Sequence, residues 1–109
     1  MPELFAQPDA TPWTELPGGT RRRVLVHRPE LMQVEFGFDA GAVGALHAHP
    51  HVQSSYVAQG RFEVTIGEVT QTIGTGGSFI VPPNLTHGVK ALEPGRLIDT
   101  FTPARQDFL

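Results

Sequence analysis

From Arg22 onward, apolar and polar side chains alternate in short runs that glycine or proline cuts off. In Arg61–Ile66, Phe62, Val64 and Ile66 fall on one face of an extended chain, while Arg61, Glu63 and Thr65 fall on the other. That period of two is the mark of a half-buried strand. Segments of similar character are Arg22–Arg28, Leu31–Phe38, Ala45–His49, Ser55–Gln59, Val69–Ile73, Ser78–Val81, His87–Leu92 and Arg96–Phe101. Pro29, Gly60, Gly67, Gly74-Thr75-Gly76-Gly77, Pro82-Pro83 and Pro94-Gly95 separate them. The spacing predicts eight or nine short strands, hence an all-β sandwich or barrel. A helical period is absent except in the tail, where Thr102 as cap and Pro103 at the first helical position predict one short turn. Residues 1–20 hold Pro2, Pro8, Pro12, Pro17, Gly18 and Gly19. They read as an N-terminal arm lying over the core and anchored by Trp13, with residues 21–109 forming one domain.

Composition narrows the chemistry. The chain has 109 residues, 39% hydrophobic and 17% charged, too apolar for a disordered segment. Twelve glycines and ten prolines exclude a helical bundle. No cysteine is present, which removes disulfides, thiolate nucleophiles, iron–sulfur clusters and thiolate zinc sites. Any metal must therefore be held by His, carboxylate or amide groups. The net charge of −3 gives no basic surplus for nucleic acid. The one basic run, Arg21-Arg22-Arg23, reads as a solvated strand edge. Apolar runs are too short to span a membrane. The start, Met1-Pro2-Glu3-Leu4-Phe5, lacks the features of a secretion signal, so a cytoplasmic location is expected.

Five histidines occur, and His47, His49 and His51 fall within five residues. In a strand, positions i and i+2 share a face, so His47 and His49 would present adjacent imidazoles. Pro50 should end that strand, His51 and Val52 should form the turn, and Gln53 should open the next strand. His87, after Pro82-Pro83, is placed to add a fourth ligand. Neutral imidazoles converging in this way suit a divalent transition metal. His51 reads as a polar turn residue or a group near the mouth of the site.

The wider spacing carries a resemblance. Gly41, five residues, His47, one residue, His49, three residues, Gln53, six residues and Gly60 make one unit; Gly76, five residues, Pro82, one residue, Asn84, two residues and His87 make another. Together they resemble the paired motifs of the cupin superfamily. That resemblance implies a double-stranded β-helix, or jelly-roll cupin barrel, with a metal inside held by His47, His49, Gln53 and His87. The ion would be nickel, zinc, manganese, iron or cobalt. Gln53 stands where the superfamily has Glu, Asn84 where it has Gly and Ala91 where it has Asn. Asn84 is tolerable because Asn enters the left-handed region readily. With four neutral ligands the ion would keep its full +2 charge, binding less tightly but polarising an anion more strongly.

In the last strand Leu97, Asp99 and Phe101 share a face. Asp99 is then a carboxylate beside the barrel cavity, paired with a neighbouring Arg, or turned to solvent by a twist. The ending Asp99-Thr100-Phe101-Thr102-Pro103-Ala104-Arg105-Gln106-Asp107-Phe108, with Gln53, Tyr56-Val57 and Pro82-Pro83-Asn84, resembles KdgF-type cupins of pectin and alginate breakdown. That resemblance implies ring opening of 4,5-unsaturated monouronates, small anionic sugars. In it Asp99 is the acid/base, Arg105 grips the substrate carboxylate, and Phe101 and His51 shape the substrate site. A plain alternative for Arg105 is a tail salt bridge with Asp107 or Glu3. Small cupins commonly dimerise, so a homodimer is expected, with neither nucleic acid nor membrane as partner. The competing functions are another metal-dependent cupin enzyme, a dioxygenase or sugar isomerase, and a non-catalytic cupin that binds a small ligand.

Overall fold

The alternating segments become strands of two facing antiparallel sheets. The computed structural model describes residues 4–109. Among these, ten strands form: β1 (Thr14–Leu16), β2 (Thr20–Arg28), β3 (Leu31–Phe38), β4 (Val43–His47), β5 (Val52–Gln59), β6 (Arg61–Ile66), β7 (Val69–Gly74), β8 (Ser78–Val81), β9 (His87–Ala91) and β10 (Gly95–Thr102). One sheet has the order β1-β2-β3-β10-β5-β8, the other β4-β9-β6-β7. This is the all-β, jelly-roll architecture that the strand pattern and the motif spacing imply.

Parity decides what each strand buries. On β6, Phe62 and Val64 are buried while Arg61 and Glu63 are exposed. On β10, Gly95, Leu97, Asp99 and Phe101 are buried in alternation. Phe38, Val57 and Leu97 from one sheet meet Phe62, Val64 and Ala91 from the other. Phe38 packs edge-on to Phe62 with centroids 5.1 Å apart. A second cluster joins Met32, Val34, Phe101 and Ala104. β5 and β6 are joined through Gly60 alone, at φ 89, where a side chain would also strike Pro94 O at 2.7 Å. A bulkier residue fits neither the left-handed backbone nor the space. No helix among the described residues is long and apolar enough to cross a membrane.

Four expectations are corrected. The strand expected over Ala45–His49 runs over Val43–His47. Gly44 does not break it, because the residue lies where a side chain would press Val89 on the paired β9, at 3.1 Å. The helical turn expected at Thr102-Pro103 lies instead at Gln106–Phe108, since Thr102 still pairs with Val52 in the sheet. The arm contributes an unforeseen strand, β1, which pairs with β2 after a turn containing Gly18 and Gly19 at φ 80 and 82. The arginine run is not a solvated edge, because β1 makes β2 an interior strand. Arg23 grips Glu35 at 2.7 Å, and Arg96 meets the other Glu35 oxygen at 2.6 Å. Arg21 faces Asp39 at 3.4 Å, and Arg22 lies 4.1 Å from the Phe108 ring centre.

The Glu35 side chain is only 3% exposed, so its charge depends on these arginines. Glu35→Ala should cost about 3 kcal/mol, because it strands the half-enclosed Arg23 guanidinium. Urea unfolding of the variant measures this. A midpoint unchanged from wild type would show the pair to be energetically idle.

Candidate metal centre and active-site cavity

Antiparallel pairing brings the first two histidines together. His47 ends β4, His87 begins β9, and the two are register partners with ring centroids 4.4 Å apart. His49 lies two residues beyond β4, not within it as parity suggested. Its ring nevertheless sits 4.7 Å from that of His87. What holds it is the segment before His87: Asn84 adopts φ 65 and donates its backbone N–H to His49 O at 2.7 Å. The left-handed conformation expected of Asn84 is thus part of how the centre is built.

Hydrogen bonds select one ring nitrogen on each histidine. Nδ1 of His47 faces Ala45 O at 2.8 Å, Nδ1 of His87 faces Leu85 O at 2.9 Å, and Nδ1 of His49 faces His51 O at 3.2 Å. A carbonyl only accepts, so each Nδ1 carries the proton and each Nε2 presents a lone pair. His49 Nε2 then faces Gln53 Oε1 at 3.0 Å, lone pair against lone pair. The Gln53 amide is turned this way because its Nε2 donates to Ser55 Oγ at 3.0 Å and to Asp99 Oδ2 at 3.4 Å. His87 Nε2 is buried without any hydrogen-bond partner. Acceptors crowded together with no donor between them are costly unless a cation is shared. The donor atoms of His47, His49 and His87 lie within 4.8 Å of one another. Three neutral imidazoles and an amide oxygen therefore fit a divalent transition metal. Burial lowers the pKa of His49 and of His87, which favours the neutral ligand form.

The amide at position 53 does two things that a carboxylate cannot. It offers an oxygen to the centre and an N–H to Asp99. A Glu there would set two anionic oxygens against each other.

Beside the centre is a cavity of about 340 Å³. Its polar wall is His47, Gln53, His87, Asp99 and Arg105; Phe36, Phe38, Leu97, Val89, Val43 and Leu16 give much of the apolar wall. Asp99 faces inward between Leu97 and Phe101, 5% exposed. Burial pushes its carboxyl up to about 7, and the nearby Ser55 hydroxyl and Arg105 charge pull it down less. Its Oδ1 has no hydrogen-bond partner. The salt-bridged and solvent-facing alternatives for Asp99 are both excluded by this placement.

Arg105 makes the tail salt bridge and also reaches the cavity. Nε and Nη2 grip Asp107 at 3.0 and 2.8 Å, while the guanidinium also lines the cavity and stacks on Phe101 and Phe108. Glu3, the other partner considered, lies outside the described residues. Phe101 lines the cavity as expected. His51 stands behind His49 and does not line the cavity wall; its carbonyl orients the His49 ring, and its own Nδ1 is buried without a partner. Two features of the site were missed, the Ser55 hydroxyl that accepts from the Gln53 amide and the Leu16-Pro17 wall. Ser55 had a signal, since it shares strand parity with Gln53. Leu16 and Pro17 had none, because an arm residue reveals its neighbours only through the fold.

The Cupin domain family matches residues 34–101. The pectin degradation protein KdgF of Dickeya dadantii (strain 3937) is 45% identical over 103 residues, 93% of this chain and 94% of that protein. The crystal structure of an RmlC-like cupin from Shewanella frigidimarina NCIMB 400 superposes with a TM-score of 0.96 at 44% identity, over 98% of this chain and 96% of the other. The structure of KdgF from Halomonas sp. gives a TM-score of 0.94 at 38% identity, over 98% of this chain and 99% of the other.

Proposed function

The chain belongs to the cupin family, and on that footing we propose that it opens the ring of 4,5-unsaturated monouronates from pectin or alginate breakdown. The observation that carries this reading is the buried, unpartnered Asp99 Oδ1 in a cavity whose other polar side chains are the neutral candidate ligands, one guanidinium and the Thr20 hydroxyl. A relative named for pectin degradation, similar over nearly the whole chain, supplies the substrate class. His47, His49, Gln53 and His87 would hold one divalent transition metal ion. Such an ion supplies Lewis-acid stabilisation of an oxyanion next to the ligands.

The rest falls to the protein's own side chains. The substrate is a hemiacetal whose C5 carries a carboxylate and a C4–C5 double bond. Asp99 Oδ1 takes the C1 hydroxyl proton. The C1 carbonyl forms as the bond from C1 to the ring oxygen breaks, and the electron pair stays on that oxygen as a C5 enolate. Asp99 returns the proton to C4, the enolate becomes a ketone, and the product is a linear keto-aldehyde isomeric with the substrate. No co-reactant is needed. Arg105, held in orientation by Asp107, grips the substrate carboxylate through its remaining N–H groups. The apolar wall excludes water from the enolate.

The test follows the near-ultraviolet absorbance of a 4,5-unsaturated monouronate. Metal-loaded protein should accelerate its decay by about 10²-fold or more over buffer. Decay at the buffer rate would remove the reading, and binding without turnover would leave a non-catalytic ligand-binding cupin. Arg105→Lys should raise KM about tenfold with a smaller change in kcat, because an ammonium loses the planar fork. An unchanged KM would assign Arg105 to the tail salt bridge alone.

A further inference from the structure

One wall of the cavity comes from the edge of the six-stranded sheet. Leu16, the last residue of β1, and Pro17 after it line the cavity, and β1 is three residues long and paired only with β2. A strand this short at a sheet edge does not hold itself in place. One side chain gathers the segment before it. Arg23 Nη1 donates to Pro8 O at 3.3 Å and to Thr11 O at 3.2 Å. Its guanidinium lies 4.3 Å from the Trp13 ring centre. Arg23 is itself fixed from below, by two contacts with the buried Glu35 at 2.7 and 2.8 Å. An unbroken series of contacts thus runs from the interior of β3, through Arg23, to the segment that carries Leu16.

We propose that Arg23 is a positioning residue, which clamps the N-terminal segment so that Leu16 and Pro17 stand as a wall of the substrate cavity. It touches no reacting atom and acts on how tightly the substrate is held. Leu16 shares the cavity lining with Phe36 and Phe38 of β3 and Val89 of β9, so its displacement widens the space in which the uronate must be held. A mobile wall weakens binding in both ground and transition states, and so acts on KM more than on kcat. The proposal rests on the ring-opening reading for its substrate, but the clamp itself can be read without turnover.

Trp13 is the single tryptophan of the chain and sits in the clamped segment, so its fluorescence reports the clamp directly. Two variants divide the question. Arg23→Lys keeps a positive charge on Glu35 but lacks the fork that reaches Pro8 O and Thr11 O. It should make acrylamide quenching of Trp13 about threefold stronger, and should raise KM for the unsaturated monouronate about tenfold with kcat within a factor of about two. Leu16→Ala removes the wall and leaves the clamp: KM should rise severalfold while Trp13 quenching stays at the wild-type value. Wild-type quenching in Arg23→Lys, or an unchanged KM in both variants, overturns the proposal. If wild-type protein does not turn over the uronate, the reaction is misread, and the quenching of Arg23→Lys alone then upholds or overturns the clamp.

Discussion

His87→Ala should abolish stable metal binding. Wild-type protein loaded and then gel-filtered should carry about one equivalent of metal, and the variant should carry less than about a tenth of that. The expected loss exceeds the roughly 10–100-fold that a group merely supporting a ligand contributes. His87 is the central imidazole: its ring lies 4.4 Å from His47 and 4.7 Å from His49, and its Nε2 is buried without a partner. Deleting it leaves two imidazoles and one amide, too few neutral donors to hold a dication against water. The fold should survive, since the side chain makes one hydrogen bond, to Leu85 O. Metal analysis by mass spectrometry, with circular dichroism as the fold control, reads the result. His27→Ala, at an exposed position on β2, should keep its metal. Full occupancy in both His47→Ala and His87→Ala would show the centre to be misassigned, and ring opening should fall in step with metal content across the series.

Asp99→Asn should remove the proposed acid/base while keeping an oxygen to accept from the Gln53 amide. We expect kcat for ring opening to fall about 10³-fold, within the range that a positioned proton carrier contributes. Metal content should not change, because Asp99 meets the Gln53 amide at 3.4 Å and belongs to none of the ligand pairs. The variant should also be more stable than wild type by about 1 kcal/mol or more. It replaces a carboxylate that is 5% exposed, with one oxygen unpartnered, by a neutral amide of the same shape. Lost activity with a higher unfolding midpoint would mark a group kept for chemistry at the expense of the fold. A variant retaining most of its kcat would move the proton transfer to another residue.

Much of this was legible along the chain because a strand is a local object. Period-two alternation marks Phe62 and Val64 as inward and Arg61 and Glu63 as outward without reference to any other segment. The same rule placed Asp99 on one face with Leu97 and Phe101 but left open whether it turned to the cavity, an arginine or solvent, which the packing decided. The motif spacing singled out His47, His49 and His87, which the fold gathers into a group that could hold a metal, and the absence of cysteine limits the donors to nitrogen and oxygen.

Other features depend on contacts between distant segments, for which no periodic signal exists. The sequence reads Arg21-Arg22-Arg23 as a solvated edge, because nothing local reveals that β1 folds back over β2 or that Arg23 and Arg96 converge on Glu35. His51 lies close to its fellow histidines in the chain, yet it turns behind His49 because Asn84 fixes the intervening loop. The aim of the Gln53 oxygen depends in part on Asp99, 46 positions away, whereas the carbonyls that select each imidazole nitrogen lie only two residues off and act through the local bend of the backbone. The chain on its own thus determined the strands and the shared face of Leu97, Asp99 and Phe101, properties of residues a few positions apart, and its motif spacing singled out the histidines. Folding decided that Asp99 turns inward, that Arg23 clamps the arm and which side chains wall the cavity, because each needs groups a dozen or more residues apart to meet.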